Sequence, residues 1–129
     1  MAAVYPNGAE TIIANYVVGK TGTTEPLTLR LYTNNYTPIE TTVVGNLTEA
    51  TATGYAAISL TGASWSTTDG VSDYAQQTFT FTAAETCYGY YLTRTTGGEL
   101  IAAELFSDGP YVVPSGGGTI KVTPQVTVS

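Results

Sequence analysis

From Leu27 onward the apolar positions recur every second residue. Leu27, Leu29 and Leu31 alternate with Thr28, Arg30 and Tyr32, the signature of a strand with one face in a core and one in water. Ala56, Ile58 and Leu60 repeat the pattern, and Phe79 and Phe81 alternate with Thr78, Thr80 and Thr82. The run 87–94 places Tyr88, Tyr90 and Leu92 on one face and Tyr91 on the other. The run 99–106 is apolar on both faces, which predicts a central strand. The chain closes on Ile120, Val122, Val126 and Val128, interrupted by Pro124. Proline cannot donate to a ladder, so this last strand is expected at a sheet edge or bulged there.

Before these strands the spacing changes. Ile12 and Tyr16, and Ile13 and Val17, stand four apart, which predicts a short helix over 9–18. Asn7 with Glu10 three residues on has the form of a capping box, and Gly19 is placed to end the helix. So short a segment, rich in branched residues, is marginal alone and needs a surface to pack on.

Turn signals separate the runs at Asn34-Asn35, Thr37-Pro38, Gly62, Asp69-Gly70, Thr96-Gly97-Gly98, Asp108-Gly109-Pro110 and 115–118. Seven or eight short strands punctuated this way predict an all-β fold, a two-sheet antiparallel sandwich with a jelly-roll-like arrangement. The expected organisation is an N-terminal arm with the helix over 1–20 and a sandwich domain over 21–129. Leu29, Leu31, Ile58, Leu60, Phe79, Phe81, Leu92, Ile120 and Val122 are its expected core.

Composition agrees. Hydrophobic residues make up 43% of the chain and charged residues 11%, against about 25% charged in an ordinary globular domain. Threonine fills much of the deficit, and Thr, Val and Tyr suit a pleated surface. The net charge is −6, with Lys20, Arg30, Arg94 and Lys121 as the cations. Four scattered cations make no footprint for a phosphate backbone or an anionic membrane, so neither nucleic acid nor membrane is expected as a partner. The first residues carry no basic stretch followed by an apolar one, so no signal peptide is expected. No apolar run approaches the ~20 residues of a membrane span. The expectation is a protein made and folded in a cytoplasm.

The chain has no histidine and one cysteine. Ser-His-Asp and Cys-His catalysis and histidine zinc sites are thereby excluded. Cys87 reads as a small core residue. The glycines 116–118 lack the Lys-Ser/Thr of a phosphate-binding loop. A glycosidase needs two carboxylates facing one another across a cleft. Glu99 and Glu104, five apart in one strand, face opposite sides, and Glu40 and Glu49 fall in loops. Asp69, Asp73 and Asp108 are the acidic residues that can offer oxygens to calcium, without EF-hand spacing. No catalytic, cofactor-binding or metal-binding residue is expected, and no enzyme. Ten tyrosines, including Tyr32, Tyr36 and Tyr55 at outward or loop positions, leave two readings open: interface or sugar stacking, or a roof over the core.

The runs LTLRLYTNNYTP (27–38), LTEA (47–50) leading into GYA (54–56), YAQQTF (74–79), YGYY (88–91) and GTIKVTP (118–124) occur in an order that resembles a group of small tailed-bacteriophage proteins of about this length. The resemblance spans nearly the whole chain, helix included. It implies a virion structural protein with a β-sandwich or jelly-roll fold and carries over no catalytic residue. The leading expectation is a capsid decoration (cement) protein on the virion surface. Such a protein clamps neighbouring copies of the major capsid protein and works as a trimer or dimer. The alternatives are a tail or neck accessory or adhesion protein, and a carbohydrate-binding module. The short helix and the edge strand nominate the contact residues: Val4, Tyr5, Ile12, Ile13, Tyr16, Pro124, Val126 and Val128.

Overall fold

A computed structural model describes residues 3–18 and 26–127. Helix α1 (Asn7–Val17) precedes eleven described strands: β1 (Leu27–Tyr32), β2 (Ile58–Leu60), β3 (Ser66–Thr68), β4 (Val71–Asp73), β5 (Gln77–Phe81), β6 (Glu85–Cys87), β7 (Gly89–Arg94), β8 (Leu100–Leu105), β9 (Tyr111–Val113), β10 (Gly118–Val122) and β11 (Gln125–Thr127). Every ladder is antiparallel. The chain is an all-β sandwich with one short helix.

The largest sheet has the order β2-β1-β7-β8. Leu29 sits opposite Leu92 and Leu31 opposite Tyr90, so the leucine stripe seen in the sequence becomes one continuous apolar face. Across the core lie Phe79 and Phe81 of β5, Ile120 and Val122 of β10, Cys87 of β6 and Val113 of β9. The expected core is therefore correct, except that Ile58 is only partly buried against it. The opposing layer is not one sheet. It consists of three small ladders, β10-β5, β11-β4-β3 and β6-β9. The strands are more numerous and shorter than the seven or eight expected, because isolated three-residue ladders leave little periodicity in the sequence.

The turn chemistry is legible. Thr68 pairs with Val71, so Asp69 and Gly70 alone form the β3–β4 loop, and both have positive φ, 51° and 81°. That is the two-residue hairpin turn that an Asp-Gly pair favours.

Two expectations need correction. Asn7 is not the helix cap. Its own N–H donates to the Glu40 carbonyl at 2.9 Å, and the Pro6 carbonyl accepts from Ala9 and Glu10 at 2.9 and 3.2 Å. Pro6 is thus the residue from which the helix starts, and Gly19 lies outside the described residues. The 99–106 run is not central: β8 ends the order of its sheet. It is apolar on both faces because Ile101 and Ala102 belong to the main core while Leu100 and Ala103 belong to the cluster on the outer face; Val4 bridges to Ala103 along its free edge and α1 packs on it. The edge expected for the last strand is present, since β10 and β11 each end the order of their sheets, but Pro124 is not a bulge within a ladder. It is fully buried at a corner where the chain leaves β10, paired with β5, and enters β11, paired with β4.

The outer face of the large sheet is covered as well. Tyr32, Tyr91, Leu100 and Ala103 pack there with Leu47, flanked by Tyr36, Tyr88 and Leu105. The segment 33–50 folds back to roof this face. The Thr33 N–H donates to the Thr48 carbonyl at 2.8 Å and the Ala50 N–H to the Leu31 carbonyl at 3.0 Å. Gly89 is required beneath it, since a Cβ there would collide with the Tyr32 ring and the Glu104 carbonyl oxygen.

Candidate interaction surface

The most elaborate polar constellation lies where β1, the returning segment and residue 55 meet. Arg30 Nη1 is 2.9 and 2.8 Å from the two Glu49 carboxylate oxygens, and Arg30 Nε donates to Thr93 Oγ1 at 3.2 Å. The Tyr55 hydroxyl donates to Glu49 Oε2 at 2.8 Å and accepts the Leu31 N–H at 3.2 Å. The Tyr55 ring stacks on Phe79 and Phe81, with centroids 5.6 and 5.9 Å apart. Burial, reinforced by Glu49, pushes the Tyr55 hydroxyl well above the usual tyrosine range. The Glu49 carboxylate, the Tyr55 hydroxyl and Nε and Nη1 of Arg30 all have protein partners, so the set ties three segments together.

Of the carboxylates singled out in the sequence, Glu104 lies in β8 and Glu99 just before it, not in one strand as expected. Glu99 accepts from Arg94 Nη1 at 2.9 Å, whereas Glu104 lies opposite Tyr90 in the β7–β8 ladder. Glu85 Oε2 accepts the N–H groups of Thr51 and Ala52 at 3.1 and 2.9 Å. Asp73 accepts from Gln125 at 2.8 Å, and Asp108 from the Tyr111 hydroxyl. Among the described residues no three His, Cys, Asp or Glu side chains are grouped as a metal would require. Cys87 is fully buried, and burial pushes its thiol up to about 12, with Glu85 adding to the effect. No described helix is long and apolar enough to cross a membrane. An open depression of about 490 Å³ lies between β9 and β10, lined chiefly by Tyr111, Val112, Ile120 and Lys121.

The nominated contact residues are largely committed to the body. Val4 is half-buried and paired with Ala103. Tyr5 and Ile12 pack against the main core beside the fully buried Ala9. Ile13 is half-buried. None of these four nominated side chains stands exposed, because the arm lies along β8. Tyr16 lies in α1, and its side chain is not described. Pro124 is buried, and Val126 packs partly on the core. Val128 lies outside the described residues. Tyr32, Tyr90 and Tyr91 are buried, and Tyr5, Tyr36, Tyr55, Tyr74, Tyr88 and Tyr111 are partly buried.

The exposed apolar side chains are elsewhere. Ile39, Val43 and Val44 project from the roofing segment, Val112 from β9, and Val17 and Val18 from the end of α1. The sequence offered one signal for the first set: branched apolar residues between Pro38 and Gly45 that stand outside every alternating run.

These features define a class, a small antiparallel all-β domain whose polar networks are internal and whose surface presents isolated apolar positions. No family model, curated protein or solved structure matches the chain.

Proposed function

We propose that this chain is a bacteriophage virion structural protein, a decoration protein that binds the outer surface of the major capsid lattice and stabilises it. The observation that carries the reading is the ordered resemblance to small phage proteins. Its residues fall on the frame of the fold: runs 27–38, 74–79, 88–91 and 118–124 cover β1, much of β5, the start of β7 and β10, and runs 47–50 and 54–56 hold Glu49 and Tyr55. The jelly-roll arrangement belongs to the same reading. So does self-association as a trimer or dimer, through strands with one free edge such as β10 and β11. A decoration protein adds stability by mass action, because it binds the assembled lattice and not the separated subunits.

Counting copies in purified virions tests this directly. Hundreds of copies per particle support a capsid role. A dozen or fewer overturn it in favour of the tail or neck reading. The carbohydrate reading draws little support, since Tyr32, Tyr90 and Tyr91 offer no open ring face.

A further inference from the structure

The roofing segment is rigid from within. The Ile39 N–H donates to Thr42 Oγ1 at 2.8 Å, and the Tyr36 hydroxyl lies 3.2 Å from the same oxygen. The Val43 N–H donates to Asn46 Oδ1 at 2.9 Å. Asn34 spans the two limbs, donating to the Asn46 carbonyl and accepting the Thr48 N–H, both at 2.9 Å. Pro38, Thr42 and Leu47 are buried beneath. A segment with this much internal order nevertheless leaves Ile39 55%, Val43 59% and Val44 43% exposed. All three are branched at Cβ and stiff at χ1, so little side-chain freedom is lost when a partner covers them. Three exposed apolar side chains gathered on one loop beside exposed polar residues have the form of a contact surface.

The charge around the loop selects the partner. The Asn7–Glu40 hydrogen bond sets the first turn of α1, which contains Glu10, beside Glu40. Both acidic residues are exposed. Among the described cations, Arg30 is engaged by Glu49 and Arg94 by Glu99, and Lys121 sits on β10 in a different sheet. The rim is therefore anionic. A second copy meeting this loop through a two-fold axis would bring the same carboxylates against themselves.

We propose that the 39–44 loop is the surface that docks on the capsid lattice, fitting an apolar depression on the major capsid protein rimmed by lysine or arginine. This rests on the decoration reading.

The experiment uses full-length protein and heads from particles whose gene for this chain is deleted. The wild type is compared with Ile39→Ser/Val43→Ser/Val44→Ser and with Glu10→Lys/Glu40→Lys. Unchanged circular dichroism and melting show that each variant folds. The expected result is wild-type binding that weakens with added salt, and a loss of about 100-fold or more in the triple variant, the scale of a lost hot-spot cluster. The charge reversal is expected to weaken binding about tenfold, or 1.4 kcal/mol. If the wild type binds heads and the triple variant binds equally well, the loop assignment is overturned and the decoration reading stands. If the wild type does not bind heads, both fall. If the triple variant instead turns an oligomer into a monomer in sedimentation, the occupant is a second copy and the proposal is wrong. Unchanged binding by the charge reversal overturns the basic rim and with it the choice of partner.

Discussion

Val4 and Ala103 exchange both backbone hydrogen bonds, Val4 N–H to the Ala103 carbonyl at 2.8 Å and Ala103 N–H to the Val4 carbonyl at 3.2 Å. This bridge covers the donor and acceptor of Ala103 on the free edge of β8, groups that would otherwise invite pairing with another chain. Ala9, Tyr5 and Ile12 add apolar contact beside it.

Removing residues 1–20 is therefore expected to destabilise the domain, contrary to the view of the arm as a separable appendage. The two hydrogen bonds alone are worth roughly 1–3 kcal/mol, and the lost apolar burial adds to that. Urea titration of full-length and truncated protein measures the difference. An unchanged midpoint would show that the arm contributes nothing to the fold.

Phe81→Ala is expected to cost roughly 3–5 kcal/mol, since the ring is 2% exposed in the main core and the site cannot collapse fully around the cavity. Thr80→Ala, on the solvent face of the same strand, should stay within about 0.5 kcal/mol. Equal losses in thermal or urea denaturation would refute the facing of β5.

The Tyr5 hydroxyl is buried without a protein partner. An unsatisfied buried polar group costs about 1–3 kcal/mol, so Tyr5→Phe is expected to be neutral or stabilising. A clear drop in melting temperature would mean that a bound water satisfies the hydroxyl, and the mutant then loses that bond.

Alkali should weaken the fold in a defined window. Burial raises the Cys87 thiol from 9.0 to about 12, and raises the Tyr5 and Tyr91 hydroxyls from 10.0 to about 12. Between the lower and upper values the unfolded chain releases protons that the folded chain retains. Stability is thus fully present below about pH 9 and falls as pH rises toward 12. Urea midpoints at pH 8 and pH 11 test the sign; a higher midpoint at pH 11 would contradict it. By the same burial, Cys87 should react with a thiol reagent at pH 8 only after unfolding.

The sequence by itself determined the strands whose two faces differ. Leu29 and Leu31, Phe79 and Phe81, and Ile120 and Val122 read as core because alternation along a strand is a local property, set by the pleat. Asp69-Gly70 read as a turn because positive φ is a property of single residues. What only the tertiary structure decided was the neighbour of each edge. β8 looks central in sequence, since its residues are apolar on both faces, yet it ends its sheet, and its faces are covered by the main core and by the roofing segment, which is far from it in the chain. Pro124 signals a break, but whether the chain bulges or turns a corner into another ladder depends on β4, far from it in sequence. Ile39, Val43 and Val44 stand outside every alternating run. Their exposure follows from Thr42, Asn34 and Asn46 locking the loop over Tyr32 and Tyr91, and burial of that kind is settled by long-range packing rather than by the order of residues along the chain.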